Sequence, residues 1–477
     1  MIRLSIADRT RGLQGHITLP ASKSISNRAL LLSQLCADGP APLSNVADCE
    51  DTQVMREALL GSTGNWSTGQ RVNRSTSRFV DRTQRVDSLT CCLVDLKKQL
   101  VDPTIIDVRG AGTAMRFLTA FFAQREGADV VLTGIERMKQ RPIAPLVDAL
   151  RALGADITYM EKEGCPPLHI RGRKLHGDMI CVDGSISSQY VSALLMIAPM
   201  TGASRLTLTG RIVSRPYIEM TRALMAHFGV QTTWEDEHTL LIPSSTYRAK
   251  PLAIEGDWSA ASYWLAFEAL ARQQGIPYDV TLNGLTTPSL QGDSICAEFF
   301  NKSTSQPMEQ RAENGVYSNY PESRQRSSVA QQVNKSTSHV DPIIVDFTDC
   351  PDLVQTMAVA YCLLGQPYTF TGTESLRIKE TDRIAALIAE LGKLGYTLTY
   401  QDGTLSYKST SQQVSRATSG AVPVIATYND HRMAMAFALA AMTHDDVCIE
   451  HPEVVSKSYP AFWDDLRNVG FKIVSSE

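Results

Sequence analysis

The chain has 477 residues, 43% of them hydrophobic and 20% charged, with a formal net charge of -4. That balance excludes nucleic acid and anionic membrane as partners, since both demand concentrated positive charge, and the length suits more than one globular domain. No apolar stretch reaches membrane-spanning length and Met1 to Asp8 has no signal or transit pattern. The ten cysteines have neither zinc nor framework spacing, so a cytoplasmic protein with reduced thiols and no metal is expected.

The first element with chemical content is Ser22-Lys23-Ser24-Ile25-Ser26-Asn27-Arg28, a polar turn opening the apolar run Ala29 to Leu32. The construction returns at Gly110 to Arg116, at Gly184 to Gln189 and at Asp257 to Ala260, each before an apolar helix. Cys350-Pro351-Asp352 leads into Met357 to Leu364, and Asn429-Asp430-His431-Arg432 into Met433 to Met442. Each reads as a capped helix too apolar to face water, so six buried helices are predicted. A second element alternates with them: an amphipathic helix, a Gly, then a short strand. It covers Leu146 to Tyr159, Tyr217 to Trp234, Asp382 to Tyr400 and Tyr459 to Val474, with Gly154, Gly229, Gly395 and Gly470 as terminators. Gly154 to Gly229 and Gly395 to Gly470 enclose equal lengths of chain. This argues for a repeat of roughly six α/β units, longer than those of solenoids.

Three stretches break the pattern: Ser62 to Leu100, Asn301 to His339 and Ser406 to Ala421. They are polar, aperiodic and rich in Ser, Thr, Gln, Asn and Arg, and read as surface insertions.

Lys23-Ser24 invites a phosphate-loop reading. That motif needs Gly before the Lys and again five positions earlier, where Ser22 and Ile17 stand, so nucleotide binding is set aside. What remains is a set of cations at helix starts: Lys23 and Arg28, Arg141, Arg215, Lys379 with Arg383, Arg432 and Lys457. Helix N-termini and cations both favour anions. Lys379 and Arg383 are expected one turn apart on one helix face with Glu380 between them. A solvated face explains any one run. Its repetition at many helix starts predicts a site for two strongly anionic small molecules, with Asp352 and Glu380 available for proton transfer.

These residues also carry a resemblance. Leu19-Pro20-Ala21-Ser22-Lys23-Ser24-Ile25-Ser26-Asn27-Arg28, Gly112-Thr113-Ala114-Met115-Arg116, Arg141-Pro142-Ile143, Asp183 to Gln189, Lys379-Glu380-Thr381-Asp382-Arg383 and Asn429-Asp430-His431-Arg432-Met433 resemble the 3-phosphoshikimate 1-carboxyvinyltransferase family, in order and over the whole chain outside the three polar stretches. The resemblance implies a two-domain inside-out α/β fold, each domain three βαβαββ units around buried parallel helices. It places residues 1–20 with 250–477 in one domain and 21–249 in the other. It implies transfer of enolpyruvyl from phosphoenolpyruvate to the 5-hydroxyl of shikimate 3-phosphate by a cytoplasmic monomer without cofactor.

Carried over residue by residue, shikimate 3-phosphate would meet Lys23, Ser24, Arg28, Ser187, Ser188, Gln189, Ser214, Asp352, Ser375 and Lys379. Phosphoenolpyruvate would meet Lys23, Gly112, Arg141, Gln189, Arg383, Arg432 and Lys457. Asp352 would accept the hydroxyl proton, Glu380 would handle the methylene proton, and Lys23 is a further acid. Two positions depart from the family pattern: Gly110 and Ser375 stand where Asn is frequent. The sister enzyme acting on UDP-N-acetylglucosamine carries a reactive Cys just before the Arg matching Arg141. Thr133 to Gln140 has none. A noncatalytic anion-binding relative would lack Asp352, Glu380 or Lys23, and all three are present.

Overall fold

A computed structural model describes residues 1–61, 103–302, 341–408 and 422–475. The polar stretches predicted at 62–100, 301–339 and 406–421 lie almost wholly outside these residues. Their edges are corrected where the structure reaches them. Asn301 and Lys302 end the helix Cys296–Lys302, and Ser406 and Tyr407 belong to the strand Thr404–Tyr407. Tyr407 is 1% exposed and packs its ring 5.7 Å from that of Tyr368, so a hydrophobic core claims it from the polar stretch.

Two hydrophobic cores divide the chain. One joins Ile2 to Leu19 with Trp258 to Phe471; the other runs from Ala21 to Ile254. The first crossing therefore falls beside Pro20. The second falls after Ile254, a few residues beyond position 250, because Leu252–Ala253 still pairs in parallel with Leu43–Ser44 of the middle half. The two crossings run side by side: Ser22 N donates to Glu255 O at 2.8 Å and Asp257 N to Pro20 O at 2.8 Å.

Four sheets share one plan. In Thr104–Asp107, Asp129–Thr133, Asp156–Tyr159 and Leu168–Arg171 the first two strands are parallel, and the fourth lies between the second and third, antiparallel to both. This is one βαβαββ unit, and two further four-stranded sheets, beginning at Met179 and Ile343, repeat it. In the last, Val424–Ile425 and Val447–Ile449 are parallel, and Ile2–Ile6 fills the place between Val447–Ile449 and Phe471–Ser475. Two parallel pairs, Leu13–Thr18 with Tyr278–Asn283 and Leu43–Ser44 with Leu252–Ala253, mark the remaining units among the described residues.

All six apolar helices form, four of them with the side-chain cap expected, while Gly112–Ala123 and Val354–Leu363 start without one. Ser22, Ser187, Asp257 and Asp430 each accept a backbone N–H in the first turn of the helix that follows. Val354–Leu363 is buried at every position, and Gly112–Ala123 at every position but Thr113. Outside them lie amphipathic helices such as Ala144–Ala152 and Arg215–His227. Gly154 and Gly229 follow these two at φ +95°, the left-handed step that ends a helix most cheaply in glycine. Among the described residues no helix is long and apolar enough to cross a membrane.

Candidate active site

The buried helices of both halves begin at one cleft, about 1450 Å³ of empty space with its open mouth included. Lys23, Gly112, Ser188, Ser259, Asp352 and His431, each in the opening turn of its helix or in the 3₁₀ turn before it, all line it. Packing apolar helices in parallel thus collects their N-termini, with the backbone N–H groups that favour anions, at one place.

On the middle-half wall, Lys23 Nζ lies 3.1 Å from Asp51 Oδ2. Burial opposes the ammonium most strongly, but Asp51, Cys49 and Glu380 together outweigh it and raise the Lys23 pKa above the usual range. Arg28 is 2% exposed and donates to Thr221 Oγ1 at 2.7 Å, Ser192 Oγ at 3.1 Å and the Ser24 carbonyl at 2.9 Å. None of these acceptors carries a charge, and burial lowers its pKa to about 10. Arg116 is similar, donating to the carbonyls of Gly112 and Pro142 at 3.2 and 3.0 Å. Arg141 is 7% exposed, its Nε is buried without a partner, and its guanidinium makes no hydrogen bond or ion pair among the described residues. A Cβ on Gly112 would stand 2.4 Å from Arg141 Nη1, so the missing side chain is what gives that arginine its place. Ser187, Gln189 and Ser214 complete this wall. Gln189 Nε2 donates to Thr113 Oγ1 at 3.1 Å, and Ser214 N donates across the halves to Thr348 O at 2.8 Å.

On the opposite wall Arg383, 1% exposed, pairs with three carboxylates: Asp430 at 2.8 Å, Asp352 at 3.2 Å and Glu380 at 2.7 Å. Asp352 also meets Arg432 at 2.9 Å and Lys379 at 3.8 Å. Burial alone would raise both carboxyl pKa values. Arg432, Lys379 and Arg383 hold Asp352 well below the usual range instead, and Arg383 and Arg141 do the same for Glu380. Both are ionised at neutral pH, across the cleft from a charged Lys23.

Every predicted site residue lines the cleft except Lys457, whose ammonium is held beside it by the Asn429 carbonyl at 2.6 Å and Oδ1 at 2.9 Å. Lys379 and Arg383 do not share a helical turn. The helix Arg383–Lys393 starts after the Asp382 cap, and Lys379 reaches in from the extended residue ending the 3₁₀ turn Glu374–Ile378, which also carries Ser375. Arg215 turns away to stack over Trp234, 4.2 Å from the ring centroid.

Sequence reading missed Tyr217, Asp293 and His431. His431 is 2% exposed, neither ring nitrogen makes a hydrogen bond among the described residues, and burial together with Lys23 and Arg432 holds it neutral. Its place beside Asp430 and Arg432 was the available signal.

Comparison with known proteins identifies the family. The model of EPSP synthase (3-phosphoshikimate 1-carboxyvinyltransferase) matches residues 7–466. The chain belongs to the EPSP synthase family. The 3-phosphoshikimate 1-carboxyvinyltransferase of Bacteroides fragilis strain YCH46 is 44% identical over 467 residues, 98% of this chain and 97% of that protein. That of Photobacterium profundum is 36% identical over 460 residues, 96% of each chain. A solved EPSP synthase from Acinetobacter baumannii shares the fold at TM-score 0.65 and 18% identity, with both chains fully covered. The two cleft walls are thus built on an EPSP synthase frame, and the sister enzyme acting on UDP-N-acetylglucosamine is not favoured.

Proposed function

We propose that this chain transfers the enolpyruvyl group of phosphoenolpyruvate to the 5-hydroxyl of shikimate 3-phosphate, releasing phosphate on the route to chorismate. Family membership supports the reaction. The observation that carries the site is Arg141, a nearly buried guanidinium with no hydrogen bond or ion pair among the described residues, in one cleft with ionised Glu380 and Asp352. A buried cation held by no direct hydrogen bond or ion pair is costly unless an anion completes it.

In this reading shikimate 3-phosphate takes Ser24, Arg28, Ser187, Ser188, Ser214, Asp352, Ser375 and Lys379, and phosphoenolpyruvate takes Gly112, Arg141, Arg383, Arg432 and Lys457, with Lys23 and Gln189 serving both. Asp352 accepts the proton as the 5-oxygen attacks. Glu380 is held ionised by its cations, so it becomes an acid only as substrate binds. The anions of phosphoenolpyruvate engage Arg141 and Arg383, weaken their hold on Glu380 and raise its pKa. It can then carry the proton that the methylene gains and returns. The Lys23 ammonium serves the departing phosphate. One chain furnishes both walls, which supports a monomer. The eight described cysteines are all free thiols, which supports the cytoplasm.

Phosphate release measured with each substrate alone and with both together tests the reaction. Release with phosphoenolpyruvate alone, or none with the pair, would overturn it. Gly112→Ala should raise KM for phosphoenolpyruvate ~10-fold or more with a smaller effect on shikimate 3-phosphate binding, because the new methyl displaces Arg141 rather than Arg28. Steady-state kinetics at varied phosphoenolpyruvate checks this, and an unchanged KM would remove Arg141 from the subsite.

A further inference from the structure

Asp352 poses a difficulty for the reaction just described. Three cations hold it ionised, which makes it a weak base, yet it has to draw a proton from an alcohol. The structure supplies a second carboxyl. Asp293, in the 3₁₀ turn Gly292–Ile295, is 3% exposed and lines the same cleft. It makes no ion pair among the described residues. Its partners are hydroxyls: Ser259 Oγ donates to Oδ2, and Tyr217 Oη lies 3.4 Å from Oδ1. The same Tyr217 Oη lies 3.5 Å from Asp352 Oδ2. One phenol from the middle half therefore stands between two carboxyls of the other half. These long contacts are of the kind that tighten when a cleft fills.

We propose that Asp293 is the proton-holding partner of Asp352, reached through the Tyr217 hydroxyl, and acts as a positioning residue of this reaction without touching substrate. As the 5-hydroxyl attacks, its O–H bond breaks and its oxygen bonds to the enol carbon. The proton passes to Asp352. Asp352 then gives a proton to the Tyr217 oxygen as the phenolic proton moves to Asp293 Oδ1. Tyr217 ends neutral, Asp352 is ionised again, Asp293 is a neutral acid, and no electron pair leaves the path. Asp293 returns its proton to solvent once the products leave, matching the proton that Lys23 gives to the phosphate and regains from solvent.

The surroundings separate the two carboxyls in the required direction. Burial, then Asp352 and the more distant Asp257, raise the Asp293 pKa to about 6 against the pull of Arg432 and Ser259. The thiols of Cys296 and Cys350 also face it and are held protonated by burial. Arg432 directs its guanidinium bonds to Asp352. Tyr217 is kept a neutral phenol by burial and by both carboxyls, so it passes a proton without ionising. Two acids in one site with pKa values driven apart form an acid–base pair.

This inference rests on the reaction proposed above, and the test separates the two. Asp293→Asn keeps an acceptor for Ser259 and Tyr217 but cannot take a proton. With phosphoenolpyruvate and shikimate 3-phosphate, kcat should fall ~10²-fold while the calorimetric Kd for shikimate 3-phosphate stays within about twofold. The acid limb of kcat/KM should lose one ionisation near pH 6 relative to wild type. Tyr217→Phe should lower kcat similarly, and the double variant no further than either single, as expected of residues acting as one unit. Asp293→Glu, which can still hold a proton, should recover part of the rate. A wild-type rate and pH profile in Asp293→Asn would overturn the relay. Equal losses in Asn, Glu and Ala variants with an unshifted profile would overturn it too, marking a structural role. No turnover by the wild-type chain would overturn the reaction itself and the relay with it.

Discussion

Glu380→Gln should lower kcat by roughly 10²–10⁴-fold, the usual worth of a positioned acid or base. The substitution keeps the size of the side chain and a carbonyl for Arg383, now 2.7 Å from the carboxylate. Shikimate 3-phosphate should bind the variant nearly as before. Arg28→Ala, in contrast, should weaken that binding strongly while leaving the proton chemistry in place. Exchange of the phosphoenolpyruvate methylene protons with solvent deuterium, followed by NMR in the presence of shikimate 3-phosphate, is the direct readout. Loss of exchange in Glu380→Gln supports the assignment; near wild-type turnover with exchange intact would transfer the role to Lys23.

The second large effect is on stability. Arg383 compensates Asp430, Asp352 and Glu380 from a position that is 1% exposed. Arg383→Leu preserves bulk but leaves carboxylates buried with fewer partners. Removing one member of a buried pair costs about 3–5 kcal/mol, and this arginine serves three. Urea unfolding at pH 7 should show that loss in the half containing residues 258–471. The pH dependence has a definite sign. Asp352 and Glu380 have depressed pKa values in the folded state, so their stabilisation is complete above the ordinary carboxylate range and is lost as pH falls through the folded values. The deficit of Arg383→Leu should therefore shrink in acid. A deficit below about 1 kcal/mol at neutral pH, or one that grows in acid, would show that Arg383 is not the keystone of this wall.

Much of this arrangement was legible because it depends on local rules. Ser22, Asp257 and Asp430 are good caps before apolar runs, and Gly154 and Gly229 are good terminators, so helix edges could be read to within a few residues. The cations at helix starts were legible for the same reason. What failed depends on contacts distant in sequence. Lys379 looked like a helical neighbour of Arg383, but the Asp382 cap starts the helix later. Arg215 had the charge and position of a ligand residue, but Trp234 supplied a nearer surface. Tyr217 lies in the first turn of an amphipathic helix, where an aromatic ring reads as ordinary packing. Asp293 sits in a short turn with no periodic signal, and only the approach of Tyr217 and Asp352 gives it meaning. The place of Ile2–Ile6 within the far half came from family resemblance, since nothing in that strand names its neighbours.

That strand also sets a timetable. The middle half draws its core from residues 21 to 254, so it can fold while later residues are still being joined. Ile2–Ile6 is synthesised hundreds of residues before its neighbours Val447–Ile449 and Phe471–Ser475. At ~5–20 residues per second, its edges stay unpaired for tens of seconds on the ribosome. An exposed strand edge is a template for wrong pairing. Its five residues, Ile2-Arg3-Leu4-Ser5-Ile6, interleave Arg3 and Ser5 among the apolar positions, and a charge within so short a strand discourages other chains from adding to it during the wait.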